Sequence, residues 1–109
     1  MKQSIYYRDE AVRDLQQIWA YNAERAGERV ANDLLRRIHT TIEMVIADHP
    51  RAGRERPELG GNVRSFPIVP HIVFYSVEPR SILVVRIVHG HRDIPPPLMS
   101  LLIEAKKTA

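Results

Sequence analysis

The stretch "SILVVRIVH", residues 81–89, constrains this chain more than any other. From Ile82 to Val88 it is aliphatic except for Arg86. A strand that is apolar at successive positions has two faces to bury, so it needs cover on both sides and partner strands along its edges. Two such partners precede it, "VRSFPIV" at 63–69 and "HIVFYSV" at 71–77. The intervening "EPR" at 78–80 is short enough to make the last two a hairpin. Pro67 and Pro70 suit an edge or a bend rather than the middle of a sheet. Strict alternation puts Ile82, Val84, Arg86 and Val88 on one face of the final strand and Leu83, Val85, Ile87 and His89 on the other. Leu83, Val85 and Ile87 form the longer apolar set, so they are expected against the rest of the core. Arg86 is then expected on the open face, either solvated or paired, because an isolated buried guanidinium is costly.

The first half of the chain supplies the covering layer. "SIYYR" at 4–8 is β-branched and aromatic and reads as a strand. Ala11, Val12, Leu15, Ile18, Trp19 and Asn22 then recur at helical spacing, with Asp9 and Glu10 in the first turn, where the helix dipole favours anions. "AG" at 26–27 breaks the pattern. A second helix is predicted from about Glu28 to Asp48, with Ala31, Leu34, Leu35, Ile38, Ile42, Val45 and Ile46 on its apolar face. Pro50 ends it by disfavouring helical geometry at His49. "PRAGRERPELGGN" at 50–62 reads as a loop. The order is strand, helical hairpin, then three antiparallel strands. That is an α+β fold, a small antiparallel sheet of the N-terminal strand plus three C-terminal strands packed by two helices on one face. Residues 1–97 are expected to form the domain. Residues 98–109, "LMSLLIEAKKTA", are expected to form a short amphipathic helix or a tail.

Charge is uneven along the 109 residues. Residues 1–50 hold seven Lys/Arg against eight Asp/Glu, whereas 51–109 hold nine against five. Thirteen of the sixteen cations are arginine, the side chain best suited to planar recognition of carboxylate or phosphate. The C-terminal half is therefore disposed toward an acidic partner, nucleic acid or protein. The chain has no cysteine, which excludes disulfides and cysteine-ligated metal sites. No apolar run approaches the ~20 residues that span a bilayer, and "MKQSIYYRDEAVRDL" has no apolar signal core. A cytoplasmic location and no membrane partner are expected.

Arg86, His89, His91 and Arg92 lie within seven residues of one another. Arg64 alternates onto the same expected open face, so Arg64 and Arg86 could converge on a phosphate or carboxylate. His39 and His49 read as structural. His89 and His91 could bind a metal, but no well-placed third ligand stands beside them other than Asp93, so no metal and no cofactor is expected. Either histidine could move a proton near neutral pH. No Ser-His-Asp spacing, phosphate loop or glycine-rich nucleotide fingerprint is present.

Together, "EAVRDLQQIWAY", "HPRAGRERPELGGNVRSFPI" and "IVFYSVEPRSILVVRIVHGHRD" resemble the RelE/ParE superfamily of toxins from type II toxin–antitoxin systems, over roughly residues 4–95. The resemblance implies a small antiparallel sheet with a helical hairpin. It also implies a cognate antitoxin with an acidic tail, of the ribbon-helix-helix kind or similar. RelE-like members cleave mRNA on the ribosome, holding the phosphate with basic residues beside a general acid/base. ParE-like members inhibit DNA gyrase through protein contacts. Here Arg64 and Arg86 match the shared arginine positions. The lysines common in RelE-like sites are absent, and no tyrosine follows Tyr75. The "RIVHGHRD" ending is closer to ParE-like chains. Gyrase inhibition is the expected function, with no catalytic set, and Arg64, Tyr75, Arg86, His89 and Arg92 are expected to contact the target or the antitoxin. An mRNA endonuclease using Arg64, Arg86, His89 and His91 is the alternative. A toxin-like fold serving only as a partner for its antitoxin is the third.

Overall fold

The computed structural model of the protein describes residues 2–90. The tail 98–109 and His91 and Arg92 lie outside the described residues. The element order is β1 (Ser4–Tyr7), α1 (Asp9–Ala26), α2 (Glu28–Thr41), β2 (Arg54–Glu55), β3 (Val63–Ile68), β4 (His71–Val77) and β5 (Ser81–His89). Short 3-10 turns at Pro50–Ala52 and Pro57–Leu59 flank β2. Between the helices, Gly27 has φ +96°, a conformation that glycine alone adopts without strain. The periodic pattern that predicts one helix to Asp48 is met by α2 and a wider, π-type turn at Ile42–Ile46 that continues it.

The five strands form one sheet in the order β1-β5-β4-β3-β2. The pairings β3–β4 and β4–β5 are antiparallel, as expected, and β2 also runs antiparallel to β3. Two features differ from the expectation of a four-stranded antiparallel sheet. β1 lies parallel to β5, with Ser4 opposite Ser81 and Tyr7 opposite Val84. A two-residue β2 from the predicted loop adds a fifth strand beside Arg64 and Ser65. Pro67 sits beyond that short pairing and is exposed, where its missing N–H costs no ladder bond.

The helices cover one sheet face. Ala11, Ile38, Ile42 and Ile46 pack there with Ile68, Val73, Tyr75, Ile82, Val84 and Ile87. A second cluster of Leu59, Val63, Phe74 and Val85 occupies the other face, with Ile72 and Val88 against it. β5 thus contributes to both layers, as its aliphatic run requires. Each large aliphatic side chain removed from water contributes about 1.5–3 kcal/mol. The face opposite the helices is therefore partly covered, by Leu59 from the 50–62 segment.

The side-chain assignment within β5 is corrected by a bulge. Tyr75 pairs with Val84 while Phe74 pairs with Arg86, so Val85 is the extra residue. An inserted residue shifts the alternation by one. Ile82, Val84 and Ile87 consequently meet the helices, rather than Leu83, Val85 and Ile87.

Candidate functional site

Arg86 lies opposite Phe74 in the register, yet its side chain reaches the helix layer. The guanidinium does not emerge on the open face. It turns to α1 and donates from Nε and Nη2 to the two carboxylate oxygens of Asp14, at 2.7 and 2.8 Å. The N–H of Ile87 donates to Asp14 Oδ2 at 2.9 Å. Asp14 and Arg86 side chains are only 9% and 15% exposed. A pair this dry persists because charge and hydrogen-bonding capacity are both met; removing one partner from such a pair typically costs about 3–5 kcal/mol. Asp14 is the residue that sequence reasoning missed. It stands three residues after Ala11 and four before Ile18, so helical spacing already places it on the buried stripe.

Arg86 borders an open cavity of about 520 Å³ between α1 and the ends of β4 and β5. Ile18, Ile87 and Val88 supply its apolar wall, and Gln17, Tyr21 and Asn22 line its α1 side. His71 and His89 stand at its far end, ring edge to ring face, with centroids 5.4 Å apart. His71 is 3% exposed, and its Nδ1 has no hydrogen-bond partner among the described residues. Burial, then the neighbouring His89 and Arg37, hold the His71 imidazole below the usual histidine range. His89 itself is exposed. Among the described residues no three His, Asp or Glu side chains converge as a metal site.

Arg64 and Tyr75 are engaged elsewhere. They pair across β3 and β4 and together anchor the segment that follows α2. Tyr75 Oη donates to the Pro50 carbonyl and accepts the Gly53 N–H, both at 2.8 Å. Arg64 Nη1 donates to the Gly53 carbonyl at 2.8 Å. Gly53 is packed so closely that a Cβ there would run into Tyr75 Oη and lie 2.8 Å from the Ser65 carbonyl oxygen. Tyr75 is wholly buried, so it is a structural tie and not the expected contact residue. Burial outweighs the Gly53 hydrogen bond and the nearby Arg64 and raises the Tyr75 phenol above its ordinary value. The structure therefore does not bring Arg64 and Arg86 to one ligand. Of the residues singled out from sequence, it brings together Arg86 and His89, and adds Asp14 and His71.

The model of the ParE toxin family, "ParE toxin of type II toxin-antitoxin system, parDE", matches residues 5–94. This chain belongs to the ParE toxin family. It is 38% identical over 76 residues to Toxin ParE1 of Caulobacter vibrioides, covering 70% of this chain and 77% of that protein. It is 30% identical over 81 residues to Toxin ParE3 of the same organism, covering 74% and 80% respectively. The fold matches a solved chromosomal ParDE system from P. aeruginosa with a TM-score of 0.68 at 20% identity, over 83% of this chain and 98% of that one. It also matches the RelBE2 toxin–antitoxin complex from Mycobacterium tuberculosis, with a TM-score of 0.59 at 16% identity, over 82% and 92%. The expectation of a RelE/ParE superfamily toxin with an α+β fold is borne out. Among the described residues, no helix is long and apolar enough to cross a membrane.

Proposed function

We propose that this ParE-family chain is a toxin that inhibits DNA gyrase by protein–protein contact and is neutralised by a cognate antitoxin. The observation that carries the choice of target is the Asp14–Arg86 pair. An RNA-cleaving site needs a guanidinium free to meet the charge that develops on the scissile phosphate. Arg86 already holds both oxygens of the Asp14 carboxylate in its fork. The arginine that stands beside the histidines is thus an internal tie. A target recognised through shape and surface charge makes no such demand on it. The solved structures that share this fold come from toxin–antitoxin systems, which supports an antitoxin as the first partner. The basic C-terminal half suits an antitoxin with an acidic tail.

The test is purified protein added to gyrase with supercoiled plasmid. Accumulated linear DNA supports the proposal; unchanged supercoiling at a protein excess argues against it. A second reading, mRNA cleavage, is favoured by one observation: the His71–His89 pair stands beside Arg86 in the open cavity, and histidines are competent to move protons. Primer extension on mRNA from induced cells separates the two. New 5′ ends appearing within codons would support the nuclease.

A further inference from the structure

The arginines of the 50–62 segment are not absorbed by the site above. A second open cleft, of about 500 Å³, lies at the end of the β3–β4 pair away from His71. Arg51, Arg56 and Arg64 line it together with Glu55, Asn62 and Val77. Two of the three guanidiniums are held in place while keeping donors to spare. Arg56 Nε donates to Ser65 Oγ at 2.8 Å, and its guanidinium lies over the Phe74 ring with its central carbon 5.7 Å from the ring centroid. Arg64 is fixed through Nη1 to Gly53. A guanidinium carries five N–H donors, so each retains some unused. The carboxylates nearby are loose partners. Glu58 stands 3.4 Å from Arg56, and Glu55 3.4 Å from Arg64 with its side chain 77% exposed. Charge-assisted bonds of full strength are about 2.7–2.9 Å long, and exposed pairs of this kind contribute little. Arg51 is exposed, and its side chain makes no hydrogen bond or ion pair with another of the described residues. Arg54 adds a further exposed cation on β2.

From this arrangement we infer that the cleft binds the phosphodiester backbone of a nucleic acid. Preorganised guanidiniums match phosphate oxygens in a planar fork. An acidic peptide that also carries large apolar anchors fits less well, because the apolar lining here is limited to Pro57, Val63 and Val77, with Val63 already buried in the second core cluster. Binding through phosphate alone is sequence-independent and strongly salt-dependent.

The experiment uses the full-length purified protein and a fluorescently labelled mixed-sequence DNA duplex, read by anisotropy across a salt series. Three phosphate contacts give a log–log salt slope of about −2.7, and Arg51→Ala should reduce it to about −1.8. Arg51→Glu should weaken binding further. Arg29→Glu, at an exposed position in the first turn of α2, changes net charge equally and should leave the slope as it is. Binding that is absent at low salt, or that falls as much in Arg29→Glu as in Arg51→Glu, overturns the inference. So does poly-L-glutamate that binds as tightly with the same dependence on Arg51, which would make this a site for acidic protein. Displacement of the duplex by low-millimolar inorganic phosphate, with bulk salt held constant, would make it a site for free phosphate and overturn it as well. Gyrase takes no part in this assay, so its failure and a failure of gyrase inhibition are separate results.

Discussion

Asp14→Asn isolates the contribution of the buried ion pair. Asparagine keeps the shape of the side chain but removes the charge and turns one acceptor into a donor. Asp14 accepts from Arg86 Nε, Arg86 Nη2 and the Ile87 N–H. The amide can satisfy only the donors on one side, and Arg86 is left as a largely buried cation without a counter-charge. Loss of one partner from a buried pair costs about 3–5 kcal/mol. Arg86 lines an open cavity and can recover some water there, so the lower end, about 3 kcal/mol, is expected. A domain of this size has about 5–15 kcal/mol in total, and each kcal/mol moves its Tm by roughly 4–8 °C. Urea unfolding followed by circular dichroism should show a midpoint shift with an unchanged slope. The double variant Asp14→Leu/Arg86→Met, which removes both charges, should be more stable than either single charge deletion. A loss below about 1 kcal/mol for Asp14→Asn, or strictly additive effects in the cycle, would refute the reasoning.

Gly53→Ala should destabilise by about 1–3 kcal/mol, because a Cβ there meets Tyr75 Oη and the Ser65 carbonyl. Combining it with Tyr75→Phe should cost less than the sum of the two, since the phenol oxygen is the first obstacle; thermal unfolding of the three variants measures the coupling. The Tyr7 phenol, pushed up to about 12 first by burial and then by Glu43, stays protonated where the unfolded chain ionises. Its contribution is complete below pH 10 and is lost as the pH rises through about 12, a fall of about 1 kcal/mol after allowing for solvent screening. Tyr7→Phe should flatten chemical-denaturation stability over that interval. In induced cells, His89→Ala and His91→Ala should stay toxic, while Arg86→Ala should be weakened through its loss of Asp14. Growth curves with matched expression decide this, and complete loss from either histidine variant would move the assignment to RNA cleavage, where a general acid/base is worth roughly 10²–10⁴-fold.

The elements were legible because their periodicities are long and uninterrupted. β4 and β5 occupy the residues that their patterns predict, and the α1–α2 break falls at Gly27. Alternation failed at Val85, because a bulge leaves no mark in a run of aliphatic residues. The wrong face for Arg86 came instead from taking Leu83, Val85 and Ile87 as the core set, since Arg86 alternates with Ile82 and Val84, which meet the helices. The parallel docking of β1 was hidden for another reason: four residues do not encode which edge they join, and the position of the helical hairpin decides it. Tyr75 read as a contact residue because its partners, Pro50 and Gly53, are more than twenty residues away and share no local pattern with it. Asp14 was readable in principle. A single carboxylate on an apolar helical stripe calls for a cation on the facing layer, and Arg86 interrupts the apolar run of the strand that α1 packs against.

The central claim is tested most directly by titrating the purified protein into gyrase, ATP and supercoiled plasmid, then denaturing the enzyme and counting linear DNA. Linear product that rises with wild-type protein, persists with His89→Ala and is suppressed by the cognate antitoxin is the predicted result. Intact supercoiling and no linear DNA at saturating protein, from a preparation that arrests growth when expressed, would contradict gyrase as the target.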